Sequence, residues 1–374
     1  MKIDLVGPSY PFRGGISYHT TLLFKHLKAK HQTHFYCFRR QYPRFLFPGK
    51  SDREESQFYL SEDGSQPLLD ALNPLTWLKV AGRVVRDRPE LTVFPWWVVY
   101  WAPQYLTMIF LIRLFSRSKI VFICHNAAEH EAHFLKTIVS RLVLSQAHGL
   151  IVHSEQEREI LKALTGKSRI AVTAHPTYDI FAAAVMPKTS AREKIGLSDE
   201  KVILFFGLIR SYKGLAYLIR ALPLILARFK VRLLIVGEFW EDKKRYLRLI
   251  DELDVQQQVT VVDRYVRNEE IAGYFCASDL VILPYTSVTG SGVLQLAFAF
   301  GRPVVTTAIG DFPGIIKDKK TGFLVVPRSP RGIAEAVVDF YENRDGEQMS
   351  AQIKKEKGLF SWGRLISAIE GFAP

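Results

Sequence analysis

Cysteine is scarce in this 374-residue chain: Cys37, Cys124 and Cys276 stand far apart, and no two form a CxxC pair. That spacing argues against a thiolate zinc site and against a disulfide framework, and it fits a reducing compartment such as the cytoplasm. The first strand-like run, KIDLVG, is followed not by G-x-G-x-x-G but by GPSYPFRGG, which disfavours a nicotinamide or flavin enzyme. A signal-peptide pattern is missing too, since the chain opens on that strand rather than on a long apolar run. Acid is nearly absent from the first 50 residues. Nine basic residues, Arg13, Arg39, Arg40, Arg44 and Lys50 among them, face the single acid Asp4, a surplus of eight within a net charge of +13. Such a bias suits phosphate groups or an anionic membrane surface, or is simply a solvated face. No nucleic-acid motif accompanies it, so nucleic acid is not an expected partner.

Charge is also absent from LTVFPWWVVYWAPQYLTMIFLI, residues 91–112. The length invites a membrane span, but Pro95 and Pro103 argue against one continuous helix. The stretch reads as a buried strand at 91–94, an aromatic loop (Trp96, Trp97, Tyr100, Trp101) and a helix over about 103–115. Aromatic and basic residues together favour an interface that touches a membrane without crossing it; plain core packing is the alternative.

Apolar residues make up 48% of the chain and charged ones 23%, the balance of a globular protein, and the length suits two domains. Short apolar runs at 3–6, 120–124 and 149–152 read as strands buried on both faces of a parallel sheet. A second series follows at 202–206, 231–236, 260–262, 280–284, 304–306 and 323–325, with a helix from Gly214 to about Leu222 that Pro223 ends or kinks. Between the series, 176–198 gathers Pro, Lys, Thr and Ser as a linker. The expected architecture is α/β: two Rossmann-like, doubly wound domains facing a cleft, residues 1–180 and 181–345, with a helical tail at 346–374 packing back on the first.

Four loops at strand ends carry candidate chemistry. Arg13, Gly14 and Gly15 precede a helix, and two glycines let a phosphate or sugar approach the backbone. In CHNAAEHEAH, His125 and Asn126 sit directly at a strand end, placed for a polar substrate. Zinc is not expected in this loop: His130, Glu131 and His133 have a spacing of three, whereas the metalloprotease helix needs two histidines four apart. In FFGLIRSYKGL, Gly207 is followed by Arg210 and Lys213, two cations matched to a diphosphate through charge-assisted hydrogen bonds worth about 1.5–3 kcal/mol each. In TGSGVLQLAFAFGRPVV, Ser291 could merely cap a helix. Its flanking glycines equally suit an anion at the helix start, and the neighbouring cations favour that reading.

Taken in order, the Gly-Gly loop, CHN, VHSEQEREIL, FFGLIRSYKGL, SDLVILPY, SGV…GRPVVTT and IGDFPGIIKDKKTGFLVVP resemble the retaining, nucleotide-sugar-dependent glycosyltransferases of family four, with the GT-B fold. The resemblance implies a sugar transferred from a nucleoside diphosphate sugar to a saccharide or lipid-linked acceptor, with no metal and no cofactor besides the donor, in the cytoplasm or at the inner face of a membrane. It implies that Arg210 and Lys213 hold the diphosphate and that the amides of Ser291, Gly292 and Val293 receive the distal phosphate. Gly15 would approach the phosphate, His125 the donor sugar, and Tyr265 and Val266 the nucleobase; Gly14 and Gly207 belong to the same donor site, Arg13 and Asn126 to the acceptor. Two glutamates common in the family are replaced here by Val288 and Leu296, and a third by Gly314, while Arg210 lies three residues before Lys213 instead of five. These departures favour one alternative, a non-catalytic nucleotide-sugar-binding protein, and weigh against another of the same architecture, a sugar-nucleotide epimerase, which would need acids and bases in the cleft.

Overall fold

The computed structural model describes residues 1–43, 51–58, 60, 62–126 and 134–374. Arg44, Lys50, Glu129, His130, Glu131 and His133 lie outside the described residues. The chain divides into two units, one of residues 1–55, 59–175 and 361–374, the other of 56–58 and 176–360. The split falls after His175, and the tail is shared: the helix Gly346–Glu356 belongs to the second unit and the helix Trp362–Glu370 to the first.

Among the described residues, the first unit is built on seven parallel strands: β1 (Lys2–Gly7), β2 (Gln32–Arg40), β3 (Ser65–Asp70), β4 (Leu91–Trp96), β5 (Lys119–Cys124), β6 (Gly149–Val152) and β7 (Ile170–Val172). Their order is β3-β2-β1-β4-β5-β6-β7, so the winding reverses between β1 and β4. Strands β2 and β3 do not stand out in the sequence. The ends of β2 are polar, and β3 contains Pro67, which an edge strand tolerates because one side of it makes no ladder bonds. The aromatic loop goes inward. Trp101 is fully buried, 4.4 Å from Phe38 and 5.2 Å from Tyr42 by ring centroids, and Trp96 is buried as well. The exposed apolar side chains belong to the next two helices instead: Phe110, Leu114 and Phe115 on Ala102–Phe115, and Phe134, Leu135, Ile138 and Leu142 on Phe134–Leu144. No helix among the described residues is long and apolar enough to cross a membrane. The terminal helix is fixed by Trp362 stacked on His26, by a hydrogen bond between the His31 Nε2 and the Glu370 carboxylate at 2.9 Å, and by Phe372, whose ring fills the space where Gly149 has no Cβ.

In the second unit six parallel strands, β8 (Lys201–Phe206), β9 (Val231–Val236), β10 (Val259–Val262), β11 (Leu280–Leu283), β12 (Val304–Thr307) and β13 (Gly322–Val325), run in the order β10-β9-β8-β11-β12-β13. The reversal lies between β8 and β11. The expected linker contains two short helices, Asp179–Ala182 and Lys188–Lys194. The helix after β8 runs through Pro223 to Leu226, because its apolar face (Leu215, Leu218, Ile219, Leu222, Ile225) is wholly buried in the core and outweighs one missing backbone bond.

Candidate functional site

In an open parallel sheet, ligands bind beyond the carboxyl ends of the strands where the winding reverses, since the flanking loops there diverge and leave a crevice. In the second unit that place is set by the loops after β8 and β11, which are FFGLIRSYKGL and LPYTSVTGSG. The backbone of Gly207 has φ near +100°, and a Cβ there would lie 3.1 Å from the Lys213 Nζ and 3.2 Å from the Val293 side chain. Gly214 has φ +73°, and a Cβ on it would stand 1.9 Å from the carbonyl oxygen of Pro284, so only glycine lets the loop after β8 close on the end of β11.

Those contacts bring Lys213 beside the helix start anticipated from the sequence. Lys213 is only 8% exposed, and its Nζ lies 5.8 Å from the ring centroid of Tyr285, whose hydroxyl is 3.3 Å from the Ser291 Oγ. Burial, and then the nearby Arg210, lower its pKa to about 8. Arg210 itself is exposed, near the rings of Tyr212 and Trp240. Among the described residues neither cation has a carboxylate within ion-pair reach. A buried, unneutralised ammonium is costly unless an anion arrives. Ser291 does cap the helix Gly292–Ala299, its Oγ accepting from the Leu294 amide at 3.3 Å. That bond serves only one of the first-turn amides. The amides of Gly292 and Val293 have no intrahelical acceptor, so the cap does not exclude an anion at this helix start.

The structure adds Asp311, which the sequence reading passed over inside GDFPG. Its buried carboxylate lies where a Cβ on Gly290 would be 3.3 Å from Oδ2, and Gly310 is pressed on the Val288 carbonyl. An acid therefore borders the 288–290 loop, in which Val288 replaces a glutamate. The available signal was its position just after β12, at the same strand edge. Tyr265 and Val266 follow β10, two strands from β8; Val266 is buried and Tyr265 half-buried.

In the first unit, Gly14 has φ near +116° and precedes the helix Gly15–Lys28, which has no side-chain cap. Arg13 is held by loop backbone: Nη1 donates to the Ser51 carbonyl at 3.0 Å, and its own amide donates to that of Asp52. The Asn126 side-chain amide donates to the Trp97 carbonyl at 3.1 Å, which fixes the loop after β4. His125 is buried with its ring 4.5 Å from that of His19, and burial together with His153 and His175 holds its pKa well below the usual imidazole range. Of the N-terminal basic residues, Arg40 forms a 2.8 Å ion pair with Asp70, and Arg39 lies 3.6 Å from the same carboxylate.

Residues 200–343 match the family described as glycosyl transferases group 1. An uncharacterized glycosyltransferase of Methanocaldococcus jannaschii is 36% identical over 152 residues, 40% of this chain and 38% of the relative. A D-inositol 3-phosphate glycosyltransferase of Mycolicibacterium smegmatis is 29% identical over 242 residues, 63% of this chain and 54% of the relative. The chain thus spans about half the length, or less, of these curated relatives. By fold it is similar to the Anabaena protein HepE, solved in complex with UDP (TM-score 0.77, 16% identity, 99% of each chain). It is also similar to a sucrose-phosphate synthase from Thermosynechococcus elongatus (TM-score 0.74, 18% identity, 99% of this chain and 97% of that one). The unit that holds Arg210, Lys213 and Ser291 thus matches the group 1 glycosyltransferases over residues 200–343, and the two parallel, doubly wound sheets have the fold of these solved GT-B proteins.

Proposed function

We propose that the protein is a retaining glycosyltransferase that moves a sugar from a nucleoside diphosphate sugar to a saccharide or lipid-linked acceptor. The second unit binds the donor and the first the acceptor. The observation that carries this reading is Lys213: a buried ammonium without a carboxylate partner among the described residues, beside Gly207, Val293 and the start of the Gly292–Ala299 helix. Cleavage of the anomeric bond concentrates charge on the departing diphosphate, and fixed cations and amides stabilise that charge most in the transition state. Such a seat performs the role otherwise given to a metal ion, so donor binding is metal-independent. Attack by the acceptor hydroxyl on the face that the diphosphate leaves lets the diphosphate take the proton, and no separate catalytic base is required.

The experiment is thermal melting against UDP, GDP, ADP and their common sugars, with and without EDTA. One nucleotide should raise the melting temperature by several degrees over the matched nucleotide-free sample, and EDTA should leave that increment unchanged. UDP is the first to try, given the ligand bound by HepE. No increment with any nucleotide would sink the donor reading. The anomeric configuration of the product, read by NMR, decides retention. The loss of two family glutamates at Val288 and Leu296 favours a second reading, a non-catalytic nucleotide-sugar-binding protein; an increment without turnover would select it.

The exposed Phe110, Leu114, Phe115, Phe134 and Leu135, with Arg113, Arg117 and Arg141 on or beside the same helices, support a peripheral membrane location for this work. Neutralising Arg39, Arg40 and Arg44, or replacing Phe110 and Phe115 by serine, should lower partition onto anionic vesicles; unchanged partition in both would argue for an acceptor in solution.

A further inference from the structure

The first unit gathers four imidazoles, of which the family resemblance gives a role, at the donor sugar, to His125 alone. His19 comes from the helix Gly15–Lys28, His125 directly follows β5, His153 directly follows β6, and His175 lies just beyond β7. Their ring centroids are 4.5 Å (His19–His125), 5.2 Å (His125–His153), 5.0 Å (His153–His175) and 5.0 Å (His19–His175) apart. All four are buried. One ring nitrogen from each of His19, His125 and His153 lies within 4.8 Å of the other two.

A histidine that merely fills a core has its polar atoms satisfied. Here the Nε2 atoms of His19 and His153 are buried without a hydrogen-bond partner among the described residues. For His153 the tautomer follows from its other nitrogen, which lies 3.0 Å from the Thr173 carbonyl. The carbonyl can only accept, so Nδ1 carries the proton and Nε2 keeps a bare lone pair. A backbone carbonyl behind one ring nitrogen is the arrangement that orients a metal-binding imidazole. The carboxylate of Glu157, itself buried, accepts the His153 backbone amide at 3.1 Å and brings negative charge alongside.

We infer that His19, His125 and His153 form a binding site for a divalent transition metal of the zinc class. Tetrahedral zinc with nitrogen at about 2.0–2.1 Å holds its ligand atoms roughly 3.3 Å apart, so the three nitrogens close by at most about 1.5 Å on binding. Three histidines leave a fourth position, as zinc sites with an exchangeable ligand do. The site lies within the first unit.

The test reads metal alone and uses neither sugar nucleotide nor turnover. The full chain, purified without a histidine tag, is assayed for metal by mass spectrometry, stripped with a chelator, and titrated with Zn2+ and with Co2+. The wild type should take up about one ion per chain, with visible Co2+ bands of a tetrahedral nitrogen site and a higher melting temperature. The variants His19→Gln and His153→Gln should lose the Co2+ bands and the Zn2+-induced shift. A wild type that binds neither ion stoichiometrically overturns the site even if both variants misfold. Undiminished binding by folded variants, shown by circular dichroism, overturns it equally.

Discussion

The two sheets share one plan and bury opposite chemistry at the same place. Each is parallel, each reverses its winding once, and each puts its polar residues beyond the strand ends. In the first unit those residues are four imidazoles, whose burial favours the neutral, lone-pair-bearing form. In the second they are a buried lysine and a helix start whose Gly292 and Val293 amides the Ser291 cap leaves unserved, which together favour an anion. Identical topology therefore supplies a place and leaves the chemistry to a few loop residues. A buried cation and a buried lone pair are both destabilised until a ligand of opposite character arrives.

The sharpest way to break this comparison is to remove the charge from one side. Lys213→Ala should abolish the nucleotide-induced rise in melting temperature and lower transfer by about 10²–10³-fold, as expected for losing one fixed donor to a developing oxyanion. A rate within a few-fold of wild type would remove Lys213 from the chemistry. Arg210→Ala should cost less, since that guanidinium is exposed.

Next come two glycines whose missing side chains lock each unit. Gly214→Ala would force a Cβ against the Pro284 carbonyl at a positive φ, where no flexible side chain can yield, and should cost about 3 kcal/mol. Gly149→Ala meets only the Phe372 ring, which can swing aside with the terminal helix, so about 1–2 kcal/mol is expected from lost packing. Denaturant melts of both variants would rank them, and a reversed order would show that the terminal helix matters more than the loop lock.

The pH dependence separates the two halves of the seat. Lys213 titrates near 8 when folded, against an ordinary value of 10.5. The unfolded chain therefore holds more protons between those values, so stability without ligand should rise as pH passes from about 8 toward 10.5. Diphosphate binding needs the protonated form and should weaken over the same range. Melting curves across that window, with and without nucleotide, should thus move in opposite senses, and this divergence should be missing from Lys213→Ala. The smallest effect expected is Ser291→Ala, which loses one helix cap at about 1 kcal/mol and leaves the Gly292 and Val293 amides in place. Its nucleotide affinity should fall only modestly.

Much of this was readable in the chain. Runs such as LVILPY and VILFF declare buried parallel strands, because every side chain in them is apolar. Gly207, Arg210, Lys213 and Ser291 fall at strand ends in sequence, and the sheet order then brings β8 next to β11. β3 escaped because an edge strand can carry polar residues and proline, and β2, paired on both sides, because its ends are polar. The aromatic loop looked like a surface because hydropathy cannot tell an inward tryptophan from an interfacial one.

By itself the sequence determined the alternation of strands and helices, the two-sheet class, and the cations and glycines of the proposed phosphate seat, since these depend on local periodicity and on short loops. Only the tertiary structure decided which distant residues meet. Asp311 reaches the 288–290 loop and His19, His125, His153 and His175 converge because parallel strands far apart in sequence end on one edge, and no spacing along the chain records that edge.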